Sequence, residues 1–277
     1  MEIKFGCHGS TWVLDYDIEK DIMDTIMDNI KNAGFTGLDM QVALLGKYRN
    51  DPKRFKEELD KRGLQLAALT LPMSFIGGEE TPEERELADY FIDYLKHFPG
   101  AKLNVPSRVG PNRKDLLQRQ KEIISGANQL GKRAYENGII ACIHPISYEN
   151  SYFRFKEDYE VLFDGLDSKY MGYTPDVGHI IFGGMDPVQI FKDYLPFIKH
   201  VHFKDASVNR EWKKMGEGDI DFAGCVQVLV ESGYNGWIIV EEETPEAQSN
   251  TEKVIMDIKH YIDQNIQPII NRAKAMQ

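Results

Sequence analysis

Cysteine is scarce in this 277-residue chain. Cys7, Cys142 and Cys225 stand far apart, odd in number and without a CxxC pair. That argues against a disulfide framework or a cysteine-held zinc cluster, and it fits a reducing compartment. Positive charge is also short: Lys and Arg total 33 against 44 Asp and Glu, for a net charge of −11. No basic run offsets this locally, so no nucleic-acid partner is expected. Long apolar runs are missing. Nothing approaches the roughly 18 residues of a membrane helix, and the opening MEIKFGCHGS lacks the apolar stretch of a secretion signal. The expected location is therefore cytoplasmic, with no membrane partner. Low-complexity tracts and linkers rich in Pro, Gly or Ser are absent too, so residues 1–277 are expected to form a single domain.

What is present is the mix of a soluble globular protein, 42% hydrophobic and 28% charged, long enough to bury a sizeable core. Short apolar runs alternate with longer amphipathic ones. The short runs predict strands at 3–8, 37–41, 64–71, 101–105, 139–144, 172–176, 200–204 and 237–241. Between them lie helical patterns. Ile18, Ile22, Ile26 and Ile30 repeat every four residues before Gly34, and Phe55 and Leu59 do so before Gly63. Eight strand–helix units predict a (β/α)8 TIM barrel. The competing doubly wound sheet would carry a glycine-rich phosphate turn after its first strand, where this chain reads CHGSTW.

Polar residues gather at the predicted strand ends, where such barrels build their sites. Of seven histidines, His8, His144, His179, His200 and His202 lie at or just past a strand end. Asp176 closes the sixth strand; by itself it reads equally as a helix N-cap. In HVHFKD, alternation puts His200, His202 and Lys204 on one face, a costly set to bury without purpose. In GWIIVEEET it puts Glu241 and Glu243 together. Asp176, His202 and Glu241 then point inward from three consecutive strands. Carboxylates with an imidazole suit a divalent cation, Mn²⁺ first, with Co²⁺, Zn²⁺ or Mg²⁺ as alternatives.

At these residues the chain resembles the sugar phosphate isomerase/epimerase superfamily, the xylose isomerase-like barrels. The matching stretches are GFTGLD (34–39), KEELDKRGL (56–64), IHP (143–145), PDVGH (175–179), HVHFKD (200–205), GEGDIDF (216–222) and GWIIVEEE (236–243). The nearest branch is inosose dehydratase-like, followed by 3-dehydroshikimate dehydratase-like and tagatose epimerase-like proteins. The resemblance implies metal ligation by Asp176, His202 and Glu241 and a substrate-side role for His179. The family's fifth-strand glutamate is missing: this chain reads ACIHPISYENSYF there. His144 is therefore expected as base or acid, or as a fourth ligand, with Glu149 the weaker ligand candidate.

These residues imply proton removal next to a carbonyl. His144 would act with Glu241 or His179 opposite, and β-elimination or proton return would follow. Lys204 is expected either on a substrate oxygen or in an ion pair with Asp205 or another acid. His8, Arg154 and Trp212 are further substrate-binding candidates, and Asp39 and Trp12 are secondary ones. The loop EWKKMGEGDIDF around Trp212 reads either as a lid or as a packed loop with Gly216 and Gly218 at its bends. The leading expectation is a metal-dependent lyase or dehydratase of a keto-sugar, keto-inositol or 3-keto-glycoside. The last of these resembles C-glycoside deglycosidases, which need a small partner subunit. The alternative is an aldose–ketose isomerase or 3-epimerase of a free or phosphorylated sugar. An endonuclease IV-like nuclease conflicts with the charge of −11, and a non-catalytic scaffold would have no need of buried ligands. The final helical stretch, 251–266, is expected to cap the barrel or to contact another copy in a homo-oligomer.

Overall fold

The computed structural model describes residues 2–275 apart from positions 16 and 18. The eight apolar runs form β1 (Ile3–His8), β2 (Gly37–Gln41), β3 (Gln65–Thr70), β4 (Lys102–Pro106), β5 (Ile140–His144), β6 (Met171–Tyr173), β7 (Val201–Phe203) and β8 (Gly236–Val240). They pair in the order β6-β5-β4-β3-β2-β1-β8-β7, and every ladder is parallel. Parallel bridges Tyr173↔Ile198 and Asp176↔His202 join the two ends, with His202 N donating to Pro175 O at 2.9 Å. The ring is thus completed as the (β/α)8 barrel that the alternation predicts.

β1 and β2 match their predicted limits, whereas β6 and β7 are shorter. They flank the seam, where Pro175 has no N–H to give to a ladder. An irregularity in the β2–β3 pairing matches Leu38 to Leu66 but Asp39 to Ala68, leaving Ala67 as an extra residue. Ala67 joins Trp237 and Ile239 in a small apolar cluster separate from the main core. Gly37 is required beside it, because a Cβ there would lie 2.4 Å from the Trp237 ring.

The helices are α1 (Met23–Asn32), α2 (Pro52–Arg62), α3 (Pro82–Leu95), α4 (Leu116–Glu136), α5 (Lys156–Gly165), α6 (Val177–Phe182), α7 (Pro187–Asp193), α8 (Phe222–Glu231), α9 (Pro245–Ser249), α10 (Thr251–Tyr261) and α11 (Gln267–Ala275). Their ends follow local chemistry. Asp51 caps α2 ahead of Pro52, and Gly63 ends it at φ 71°. Thr81 and Glu84 form a capping box on α3. Of the four-residue isoleucine repeat, Ile26 and Ile30 are buried in α1, Ile22 precedes it, and Ile18 lies outside the described residues. The final stretch runs α10, a π turn at Ile262–Ile266, then α11, with Ile255, Ile258, Ile262, Ile266 and Ile270 buried. The main core lies between helices and sheet. Among the described residues, no helix is long and apolar enough to cross a membrane.

Candidate active site

At the C-terminal ends of the strands, a cavity of about 150 Å³ is lined by His8, Thr70, Asn104, His144, His179, His202, Lys204, Glu241 and Glu243, among others. Larger hollows of about 390 and 480 Å³ open around Trp237 and Lys102, but no histidine lines them. The chemistry therefore sits in the smaller space.

Asp39, the third residue of β2, organises the floor. Its Oδ2 accepts from Nε2 of both His200 and His202 at 2.9 Å, and its Oδ1 accepts from Thr70 Oγ1 at 3.2 Å. His8 Nε2 stands 3.6 Å from the same carboxylate. Thr70 Oγ1 in turn accepts from Asn104 Nδ2 at 3.2 Å. Burial opposes ionisation of Asp39, but His8, His200 and His202 together override it and hold its pKa well below the usual carboxylate range.

His202 gives its Nε2–H to Asp39, which leaves Nδ1 without a hydrogen-bond partner, 3.7 Å from Glu241 Oε2. Burial lowers its pKa, yet Asp39 and Glu241 outweigh burial and lift it to about 9. His144 has no partner on either nitrogen. Its Nε2 lies 3.8 Å from Asp176 Oδ2, and burial, then His202, pushes its pKa down to about 3. Asp176 divides its work. Oδ1 accepts from the N–H of Gly178 (2.9 Å) and His179 (3.1 Å), capping α6, while buried Oδ2 has no hydrogen bond. Both readings of this residue, cap and inward carboxylate, hold at once on different oxygens.

His179 Nδ1 accepts from Ser147 N at 3.2 Å, so the neutral ring carries its proton on Nε2, 3.9 Å from Asp176 Oδ2. Lys204 Nζ lies 2.8 Å from Glu243 Oε1, 3.3 Å from Glu241 Oε1 and 3.8 Å from Asp176 Oδ2, and 4.7 Å from the Trp212 ring centre. Burial works against its charge, but these acids override it and raise its pKa well above the usual range. Asp205 is not its partner. It accepts instead from the backbone N–H of Ala206, Gly216 and Gly218, pinning the loop that follows β7. That loop is packed: Trp212 stacks on Phe182 at 4.1 Å and meets His179 edge-on.

His8 lines the cavity, its Nδ1 2.5 Å from Ser10 Oγ. Trp212 backs His179 and Lys204. Glu149 is exposed, and its carbonyl holds Arg154 Nη1 at 3.0 Å. Neither Glu149 nor Arg154 lines the cavity, because the turn after β5 folds Arg154 back onto the Glu149 carbonyl and the Phe155 ring. Trp12 faces a separate surface hollow with Leu14 and Asp15. Asp39 is far more central than a strand-end acid; its place beside Gly37 and Gln41 on one face of β2 was the available signal. Thr70 and Asn104 escaped notice, although each is a polar residue inside an apolar strand.

A divalent cation fits this donor set. Ligand atoms of His144, Asp176 and His202 lie within 4.8 Å of one another. Buried polar atoms are rarely left unpaired, and here Asp176 Oδ2, His202 Nδ1 and both His144 nitrogens are. Asp39, His200 and His202 are equally close, but there Asp39 Oδ2 and the two Nε2 atoms already hydrogen-bond one another. They form the outer support that orients a ligating imidazole.

Barrel and site together define a (β/α)8 protein with a carboxylate–imidazole centre at the C-terminal mouth of its strands. The chain matches the model of the xylose isomerase-like TIM barrel family over residues 27–263 and belongs to that family. It is 28% identical over 297 residues to an inosose dehydratase of Lacticaseibacillus casei, covering 95% of this chain and 97% of the relative. Among solved structures it resembles the IolI protein with a bound zinc atom, at a TM-score of 0.78 and 15% identity over 98% of this chain and 99% of the other. It also resembles a D-tagatose 3-epimerase-like protein, at 0.71 and 18% over 95% and 99%. At these identities the two structures speak for the fold alone.

Proposed function

We propose that this chain is a divalent-metal-dependent dehydratase of a keto-inositol or closely related keto-sugar. The observation that carries the reading is His144. It is a buried neutral imidazole facing the cavity, with both nitrogens free of protein partners. It stands on the strand where a two-carboxylate epimerase would want its second acid. The 28% identity to an inosose dehydratase along 95% of the chain supports the same class.

The two imidazoles near Asp176 have different surroundings. A ligating histidine usually donates its other N–H to a carboxylate or carbonyl. His202 does so through Asp39, and His144 does not. Asp176 Oδ2, His202 Nδ1 and Glu241 would therefore hold the metal, and His144 is left to exchange a proton. A divalent ion there supplies Lewis acidity, polarising a carbonyl and acidifying the neighbouring C–H. His144 takes that proton on its lone pair. Electrons from the broken C–H bond form the C=C bond as the β C–O bond breaks. His179 carries its proton on Nε2 and hydrogen-bonds the departing hydroxyl, which takes the proton that His144 removed, so water leaves and His144 is neutral again. Lys204, kept protonated by Glu241 and Glu243, holds a substrate oxygen in register and favours negative charge building there.

The test is to incubate metal-loaded protein with a keto-inositol, and separately with free ketoses, following mass and ultraviolet absorbance. Loss of one water with a new conjugated chromophore is expected. His144→Gln should lower kcat by about 10²–10⁴-fold while metal content is retained. A mass-neutral product would overturn the elimination in favour of isomerisation or epimerisation. A wild-type chain that binds no divalent ion would overturn the metal centre.

A further inference from the structure

Asn104 is fully buried on β4, yet its side chain lines the cavity and its Oδ1 has no hydrogen-bond partner. The orientation of an amide is ordinarily ambiguous, since its oxygen and nitrogen look alike. Here the neighbouring bonds remove the ambiguity. Asp39 accepts on both oxygens, Oδ2 from Nε2 of His200 and His202 at 2.9 Å and Oδ1 from the Thr70 hydroxyl, and so offers Thr70 no proton. Thr70 has one hydroxyl hydrogen and spends it on Asp39 Oδ1 at 3.2 Å. Thr70 therefore has only lone pairs left for Asn104, which must present its NH₂, as observed at 3.2 Å. The direction runs from Asn104 through Thr70 to Asp39, which also receives His202. One carboxylate thus sets both ends: it holds the proton of His202 on Nε2, so that Nδ1 is the nitrogen with a lone pair in the neutral ring, and it leaves Asn104 Oδ1 as an acceptor.

The strand register places that acceptor. Asn104 pairs with Thr70 on one side and Cys142 on the other, while Pro106 is level with His144. Asn104 is thus one inward position deeper than the proposed base. Cys142, its neighbour on β5, is a buried thiol whose pKa burial pushes up to about 12, so it supplies no charge there. A buried amide oxygen without a donor costs free energy until something with an O–H arrives.

We propose that Asn104 is a specificity-determining residue: its Oδ1 accepts a hydrogen bond from a hydroxyl at the end of the substrate that enters deepest. This rests on the keto-polyol reading above, and it selects substrates carrying a hydroxyl at that end over analogues with hydrogen there.

The experiment compares kcat/KM of wild type, Asn104→Ala and Asn104→Ser on a keto-inositol and on its monodeoxy analogues. Bound divalent metal is measured in parallel. Wild type should discriminate against one analogue by about 10- to 100-fold. Asn104→Ala should lose a similar factor on the full polyol while staying within about threefold of wild type on that analogue, with metal stoichiometry kept. The ratio between substrates does not depend on the fraction of folded protein. If Asn104→Ala yields none, Asn104→Ser gives the same comparison. Equal losses on every substrate, unchanged discrimination, or a loss that follows metal release would each overturn the proposal. If wild type turns over no keto-inositol, the functional reading fails first and this inference with it. Turnover with discrimination unaltered in the variants sinks this inference alone.

Discussion

The fate of His202 depends on a residue that touches no substrate. Asp39 receives its Nε2–H at 2.9 Å and leaves Nδ1 facing Glu241. Removing the negative charge while keeping the shape, as in Asp39→Asn, lets an amide N–H oppose the imidazole instead. Loss of such a support typically weakens metal binding by about 10–100-fold. Chelator-competition titration of Asp39→Asn should show that drop, with near-wild-type far-ultraviolet circular dichroism. Unchanged affinity would mean that His202 does not depend on Asp39 for its orientation. The site was partly readable at this scale. Asp176, His202, Lys204 and Glu241 stand out as polar groups ending apolar strands. Asp39, Thr70 and Asn104 do not, since a single polar residue within a strand looks the same whether it faces a helix or the barrel axis.

Elements couple stability to the site most directly at the start of α6. Asp176 Oδ1 caps the helix, and Oδ2 is the oxygen turned to His144 and Lys204. The two duties can be separated. Asp176→Asn retains an oxygen for the cap and should cost well under the ~1 kcal/mol of a lost N-cap, yet it should abolish metal binding. Asp176→Ala should lose both. Urea melts of the metal-free variants, beside elemental analysis of the loaded ones, check this. Equal destabilisation of the two metal-free variants would show that the cap does not depend on the side-chain oxygen. The strands themselves were legible because period-two apolar runs are long relative to their turns. The limits of β6 and β7 were not, because their shortening reflects the seam at Pro175 rather than any local preference.

For the whole molecule, burying several histidines makes stability depend on pH, and the sign follows from the direction of each shift. His144 and His200 resist protonation in the fold until about pH 3 and about pH 4, against 6.5 when exposed. Burial is the main cause, and it also lowers His8 and His179. Stability that these rings contribute above pH 6.5 is lost as pH falls from there toward 4, at up to roughly 1.4 kcal/mol per pH unit for each ring. His202 works oppositely: raised to about 9, it contributes below 6.5, and that contribution is lost as pH rises through 9. Four rings against one predicts that metal-free protein melts at falling temperature from pH 6.5 to 4.5. A flat or rising Tm across that window would contradict the burial of neutral imidazoles.

Alternating apolar runs specified the eight strands, the helices between them and therefore the barrel, since each run must bury one face and parallel neighbours need a crossover. The same pattern located the mouth of the site, because polar residues at strand ends have nowhere else to point. What needed three dimensions was pairing across the barrel. Asp39 meets His202 and Thr70 meets Asn104 from positions far apart in the chain, and a one-residue irregularity between β2 and β3 sets the level at which Asp39 meets Thr70. Whether Glu149 or Arg154 reaches the cavity was likewise settled by the path of the turn after β5. Local spacing limits the direction of a side chain; ring closure and register select its partner.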